Sequence, residues 1–400
     1  MTQAGMTHVA CVPPGIECTL LIRAPQCVPP NSNHAMYKSA KVRADERFLI
    51  VTADDFGLHQ AVNEAVEQAN RAGVLSAASL MMGSPATADA VRRARRLPRL
   101  RVGLHIVLAD GTATLAPELI PALADSNGRM NGRMFVNSVR FVLRPSIRRQ
   151  LEAEIRAQFA AFAKTGLEFD HVNVHKHFHM HPTLLGMILR IGRDYGRPAM
   201  RIPDEPLWVA LHERRWSSAA GGLLLKPWTA LMRQRVRAAA VASNDAVFGI
   251  AASGAMTETA LLAVVQRLPA GVSEIYLHPA TEQGAEIAPS MTGYRHVDEY
   301  MALMSPRVRA AIGAARCGCG GYSDIPQTLR TRAARESAPV PPQRCRVAVS
   351  GMQDTRNEQL TEAERDPHFP REEGSGLRAD HQAAGSAHGV PDADDEDPAW

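Results

Sequence analysis

The chain reads as an α/β protein, a (β/α) barrel that is distorted or incomplete, with about seven strands. Three observations predict this. Between Phe48 and Ile325, short apolar runs alternate with longer stretches of helical period, the pattern of a mostly parallel sheet wrapped by helices. Acidic, basic and imidazole side chains recur where those apolar runs end, which is where α/β folds build their sites. The 400 residues, 45% hydrophobic and 22% charged, are enough for one large core. A doubly wound open sheet is the competing architecture.

Taken in order, FLIVTA at 48–53 is a buried strand and 61–72 has the apolar period of a helix. A second strand at 76–82 and helix at 87–96 repeat the pair, and 101–105 gives a third strand. Beyond the Gly- and Asn-containing loop 125–132, a long amphipathic helix covers 147–164. Strand 171–174, helix 183–195 and strand 200–202 follow. The last strands are 247–250 and 274–277, with helices at 258–268 and 297–314. Segment 207–242 breaks the rhythm. It sets Trp216, Leu223, Leu224, Leu225, Trp228, Leu231 and Met232 among Arg214, Arg215, Lys226, Arg233, Arg235 and Arg237. That composition suits an insert packed on the barrel or an interfacial helix. The expected organisation is a disordered N-terminal extension over 1–46, a barrel over 47–326 carrying the insert 207–242, and a disordered tail over 327–400 that ends in an acidic run.

Composition narrows the function. Forty-five Lys plus Arg against 41 Asp plus Glu give a net charge of +4, too small at this length for a nucleic-acid binder. No stretch approaches the roughly 20 apolar residues of a membrane span, and Pro13, Pro14 and Glu17 spoil a signal peptide. A cytoplasmic protein is expected, with peripheral contact at the inner membrane face if the insert is interfacial. None of the 6 cysteines falls between Cys27 and Cys317, so the core holds no disulfide. Cys317-Gly318-Cys319 lacks the C-x-x-C spacing of a zinc or redox pair.

Five strand ends carry the chemistry: Asp54-Asp55-Phe56-Gly57, His105, the run His175 to His181, Arg201, and His278-Pro279. Taken singly they are ordinary. Asp54 and Asp55 could cap a helix, His105 and His278 could be satisfied core histidines, and Arg201 could be a surface cation. Together they point to a divalent metal, because two adjacent carboxylates behind a buried strand need an offsetting cation. Imidazole with carboxylate suits Zn, Co, Fe or Mn better than Ca. His175, His177, His179 and His181 alternate, so an extended stretch would project all four from one face.

LIVTADDFG, VGLH, HVNVHKHFHMHP and YLHPA together resemble the YdjC-like carbohydrate deacetylases, metal-dependent de-N-acetylases on a glycoside hydrolase/deacetylase-type βα barrel. GRDYGRPAMRIPDEP and PSMTGYRHVDEY are similar to the hopanoid-biosynthesis-associated HpnK branch, whose substrate is an N-acetylglucosaminyl hopanoid lipid. The resemblance places one divalent ion, magnesium by family and Zn, Co or Mn by chemistry, on Asp55, His105 and His175. It leaves Asp54 beside them as general base, held ionised by Arg201, and His278 as the acid for the leaving amine. His177 and His179 would line the sugar pocket or bind the tetrahedral oxyanion. The implied reaction is hydrolysis of a linear amide C–N bond on an amino sugar, which is lipid-linked if the branch holds. A general chito-oligosaccharide deacetylase, a metal-dependent phosphoesterase and a non-enzymatic metal- or lipid-binding scaffold are the rivals. Nothing in the sequence fixes an oligomeric state.

Overall fold

The computed structural model describes residues 46–132, 144–212, 216–284, 287 and 289–330. The tails expected to be disordered over 1–46 and 327–400 lie outside these residues except for 46 and 327–330, where the Thr328 hydroxyl donates to Glu46 at 3.0 Å and Leu329 is buried against Phe48, Ile50 and Tyr322. Eight strands form one parallel sheet: β1 (Arg47–Phe56), β2 (Ala77–Leu80), β3 (Arg101–Ile106), β4 (His171–Val174), β5 (Ala199–Met200), β6 (Ala246–Phe248), β7 (Gly271–Leu277) and β8 (Gly318–Cys319). Seven run in the order β5-β4-β3-β2-β1-β7-β6, and β8 pairs with Phe48 and Leu49 of β1. Each expected strand is present; β8 is additional, and sets the Cys317 and Cys319 sulfurs 4.0 Å apart.

The sheet curls until its edges meet, but not by a full ladder. Met200 N–H donates to Ala242 O at 2.8 Å, and the Asn244 side chain accepts from Ile202 N–H at 2.7 Å while donating to Ile202 O at 2.8 Å. An amide side chain thus stands in for strand pairing between β5 and β6, giving the distorted barrel that the alternating pattern predicts.

Helices α1 (Gln60–Ala72), α2 (Thr87–Ala94), α3 (Pro145–Lys164), α4 (Pro182–Gly192), α5 (Leu207–His212), α6 (Trp216–Ala238), α7 (Glu258–Val265), α8 (His296–Met304) and α9 (Pro306–Ala314) cover the outside. The single helix expected over 297–314 is two. Pro306 holds Ser305 in an extended conformation, and the Ser305 hydroxyl then accepts from Arg307 and Val308 N–H to start α9. Within the expected insert, α6 buries Met232 and Val236 on the barrel, so one face packs.

Strand alternation sorts the interior. In β1, Leu49, Val51 and Ala53 face the helices, while Phe48, Ile50, Thr52 and Asp54 face inward. The barrel floor is apolar, with Phe48, Ile50, Ala77, Ala199, Val272 and Tyr322 in one cluster. Above it, Thr52, Ser79, His171, Asn173, Arg201 and Glu274 are buried and polar. The interior changes from apolar to ionic along its axis.

Candidate active site

Asp54 and Asp55 end β1 side by side, where a regular strand would send them to opposite faces. The pairing with β2 shifts register between Ala53 and Phe56, and Asp55 takes a left-handed φ of 62°. That strained backbone breaks the alternation and brings both carboxylates to the mouth of the barrel. Gly57 follows at φ 96°, a conformation open to glycine, and turns the chain into α1.

Asp55, His105 and His175 meet. Asp55 Oδ1 lies 3.2 Å from His105 Nε2 and 3.1 Å from His175 Nδ1, and the two nitrogens are 3.3 Å apart. Three ligands at roughly 2.1 Å from one ion, in tetrahedral to octahedral geometry, would be separated by about these distances. Both Asp55 oxygens are buried without a hydrogen-bond donor, the state expected of a carboxylate shaped for a cation. Burial raises the Asp55 carboxyl, but His175 and His105 close beside it outweigh this and hold it well below the usual range. The triad can bind one metal ion, and it is the one such group among the described residues.

Asp54 lies beside the triad. Its oxygens accept from Arg201 at 2.5 and 2.9 Å, and Asn173 Nδ2 donates to it at 3.0 Å. Arg201 is fully buried, so it is no surface cation, and Glu274 takes its remaining donors at 2.9 and 2.8 Å. Burial raises the Asp54 carboxyl, yet Arg201 overrides this and leaves it far below the ordinary range. Asp54 is ionised at any physiological pH.

The four histidines of the 175–181 run do not share a face. Residues 175–180 form a 3-10 turn, with Lys176 and His177 both at φ 54°, instead of an extended stretch. The turn scatters the rings. His175 joins the triad, His177 Nε2 bonds Tyr276 Oη at 2.9 Å, His179 Nε2 donates to Arg201 O at 2.9 Å, and His181 Nδ1 caps α4 by accepting from Thr183 N–H at 3.3 Å. Burial holds His177 and His179 neutral, lowering His179 to about 4. His278, at the end of β7, is buried beside Tyr276 and Tyr294; burial lowers it to about 4 against the pull of Asp55 and Asp54. Its Nδ1 has no hydrogen bond and lies 3.9 Å from Glu299 Oε2.

A cleft of about 470 Å³ opens at His175, lined by His59, Gln60, Asp110, Thr112, Arg129 and Met291 among others. Its wall after β3 is held from behind: Glu154 on α3 accepts from Thr114 and Leu115 N–H at 2.8 and 3.0 Å, and Gln158 from Val107 N–H at 2.9 Å. Lys176 bonds Asp110 at 2.6 Å across the cleft's edge. Of the sequence-predicted residues, His175 alone lines this cleft; Asp54, Asp55, His105, His177, His179, Arg201 and His278 do not. Asn173, Glu274 and Asp110 escaped sequence reading. Asn173 had a usable signal, since it sits two residues before His175 on the inward face of β4.

A curled parallel sheet with a carboxylate, two imidazoles and a second ionised carboxylate at its C-terminal mouth defines a βα-barrel protein with a site able to hold one metal ion. The YdjC-like protein family profile matches residues 48–314, and the chain belongs to that family. Among similar proteins, carbohydrate deacetylases of Brevibacillus brevis, Oceanobacillus iheyensis and Geobacillus stearothermophilus are 35%, 32% and 34% identical over 40%, 41% and 42% of this chain. The matches span 60%, 73% and 63% of those relatives' own lengths. A crystal structure of an Enterococcus faecalis V583 protein named for cellobiose-phosphate cleavage superposes with a TM-score of 0.55 at 23% identity, covering 70% of this chain and 99% of that one, a likeness of fold.

Proposed function

We propose that the protein is a metal-dependent carbohydrate de-N-acetylase. The observation that carries this reading is the donor-free Asp55 carboxylate, held against His105 and His175 beside a cleft large enough for a sugar ring. The names of the similar deacetylases support it. Two imidazoles and one carboxylate fit Zn, Co or Mn better than the all-oxygen preference of magnesium. When bound on Asp55, His105 and His175, such an ion supplies an acidified water and a polarised amide carbonyl.

The chain's own groups do the rest. Asp54 accepts the water's proton; the Arg201 clamp that keeps it ionised also makes it a weak base, so it can deprotonate only an acidified water. His278, neutral at pH 7, relays to the departing nitrogen the proton that Asp54 has taken from water, as the C–N bond breaks to give acetate and the amine. His177, held by Tyr276 and with its Nδ1 open, is the nearer of the two expected pocket histidines to a substrate role; His179 is fully buried against Arg201 O.

The substrate we favour is an N-acetylglucosaminyl hopanoid lipid, in line with the HpnK-like motifs, with the protein in the cytoplasm and in peripheral contact with the membrane. Support comes from the helical insert, where Leu211, Leu223, Leu224 and Leu225 are 46%, 61%, 81% and 38% exposed. Trp228, in contrast, is used structurally: its Nε1–H donates to Met180 O at 2.6 Å and ties α6 to the histidine turn. No described helix is long and apolar enough to cross a membrane. The test is incubation of metal-replete protein with the glycolipid and with soluble N-acetylated chito-oligosaccharides, with mass detection of product. Deacetylated glycolipid supports the full reading, deacetylated oligosaccharide alone supports a general deacetylase, and no deacetylation of either overturns the proposal.

A further inference from the structure

Beneath the mouth, a chain of buried side chains crosses the barrel with one consistent direction of donation. It begins at Asp170, just before β4. Asp170 Oδ1 accepts from Ser323 N–H and Oγ–H at 2.8 and 2.7 Å, and Oδ2 from Tyr322 N–H at 3.0 Å. Against so ionised a carboxylate, the neighbouring His171 Nδ1, 2.9 Å from Oδ2, must carry the proton. His171 Nε2 is then an acceptor, and it takes the hydroxyl of Ser79 at 2.9 Å. Ser79 Oγ in turn accepts from Asn173 Nδ2 at 2.9 Å. The second Nδ2 proton goes to Asp54, so Ser79 and Asp54 together hold the orientation of the Asn173 amide, and its Oδ1 accepts from His105 Nδ1 at 2.7 Å.

The spine ends at the triad. With Nδ1 protonated toward Asn173, His105 turns Nε2 toward Asp55 and His175, where a cation would displace any proton on it. Ser79, His171 and Asn173 are 0% exposed, so no water competes at any link. Room for the spine is built in at Gly103, where a Cβ would fall 2.5 Å from the His171 ring. Any other residue there would push the imidazole away from Ser79.

We infer that His171, Ser79 and Asp170 are positioning residues that set the His105 tautomer through Asn173 and so prepare the triad for its cation. They touch neither cleft nor cation. An Asp-His-Ser arrangement of this kind is a catalytic triad when exposed; sealed in the barrel it serves as a fixed polarity for the site above. The inference rests on the metal reading of the same site.

The test uses the full chain with Ser79→Ala, Asp170→Asn and Ser79→Thr. Nitrogen-edited NMR of labelled histidine in the metal-free protein reads the His105 tautomer, and calorimetric titration with Co²⁺ reads affinity. Wild type is expected to keep a proton on His105 Nδ1 throughout. Ser79→Ala and Asp170→Asn should show mixed tautomers and about 10–100-fold weaker binding, the usual worth of an outer-shell partner. Ser79→Thr, which keeps the hydroxyl, should restore both. If Ser79→Ala leaves tautomer and affinity as in wild type, even with a lowered melting temperature, the spine merely packs the barrel and the inference is overturned. Absence of Co²⁺ binding by wild type would remove the metal reading instead, while the tautomer comparison still decides the role of the spine.

Discussion

The two ends of the barrel treat buried polar groups in opposite ways. At the floor, every oxygen of Asp170 is occupied by donors from His171, Tyr322 and Ser323, and Arg101 closes on Asp324 through two hydrogen bonds of 2.9 and 2.7 Å. At the mouth, both Asp55 oxygens, the Nδ1 atoms of His177, His179 and His278, and His296 Nε2 are buried with no partner. Ser273 Oγ is an exception nearer the floor. An unmet buried carboxylate costs on the order of 1–3 kcal/mol or more, so it persists where something other than folding selects it. The floor holds the fold together, and the mouth keeps polar groups unpaired, as the proposed binding of substrate and cation there requires.

Substitutions at the two ends should therefore separate activity from stability. The largest expected effect is at the mouth: Asp54→Asn should retain the metal and the melting temperature but lower turnover of an N-acetylated sugar by about 10²–10⁴-fold. Loss of the metal in that variant would make Asp54 a ligand and reverse its role with Asp55.

At the floor the balance inverts. Asp170→Ala strands the donors of His171, Tyr322 and Ser323, and should lower unfolding free energy by about 3 kcal/mol in denaturant titrations. The pH profile gives the same contrast. Burial raises the Asp170 carboxyl, but the hydrogen bond from His171 dominates and its folded value is about 2. A depressed carboxylate contributes stability above its unfolded value of about 3.9, and that stability is lost as pH falls toward 2. Wild type should therefore lose stability between about pH 4 and 2 more steeply than Asp170→Asn. Parallel acid limbs would show that folding does not depress the Asp170 carboxyl.

The difference between the ends also explains what could be read from sequence. Strand positions were legible from the alternation of apolar runs, and the strand ends showed where polar groups collect, but the choice of Asp55, His105 and His175 among them came from the resemblance to the YdjC-like family. The Asp54–Arg201 contact joins residues far apart in the chain, so the sequence left Arg201 between a partner of Asp54 and a surface cation. The histidine run misled because alternation implies one face only in an extended chain, and the left-handed Lys176 and His177 remove that premise. The Asp170–His171–Ser79 spine was invisible, since nothing local distinguishes Ser79 from any small residue of a strand.

Smaller effects sharpen the contrast further. Leu223→Ser with Leu224→Ser removes exposed side chains, so stability should hold while turnover of a glycolipid falls and that of a short soluble sugar does not; equal loss on both would make the insert a support for the fold. Least of all, a chain trimmed to residues 46–330, keeping the buried Leu329, should match the full chain in melting temperature and activity. A clear drop in either would assign the removed tails a role.

The central claim is that Asp55, His105 and His175 hold one catalytic cation, and the metal content of purified protein tests it most directly. The account predicts one divalent ion per wild-type chain, and its loss together with hydrolysis in His105→Ala and His175→Ala, with the fold retained by circular dichroism. Unchanged stoichiometry in both variants, or hydrolysis by metal-stripped wild type, would contradict it.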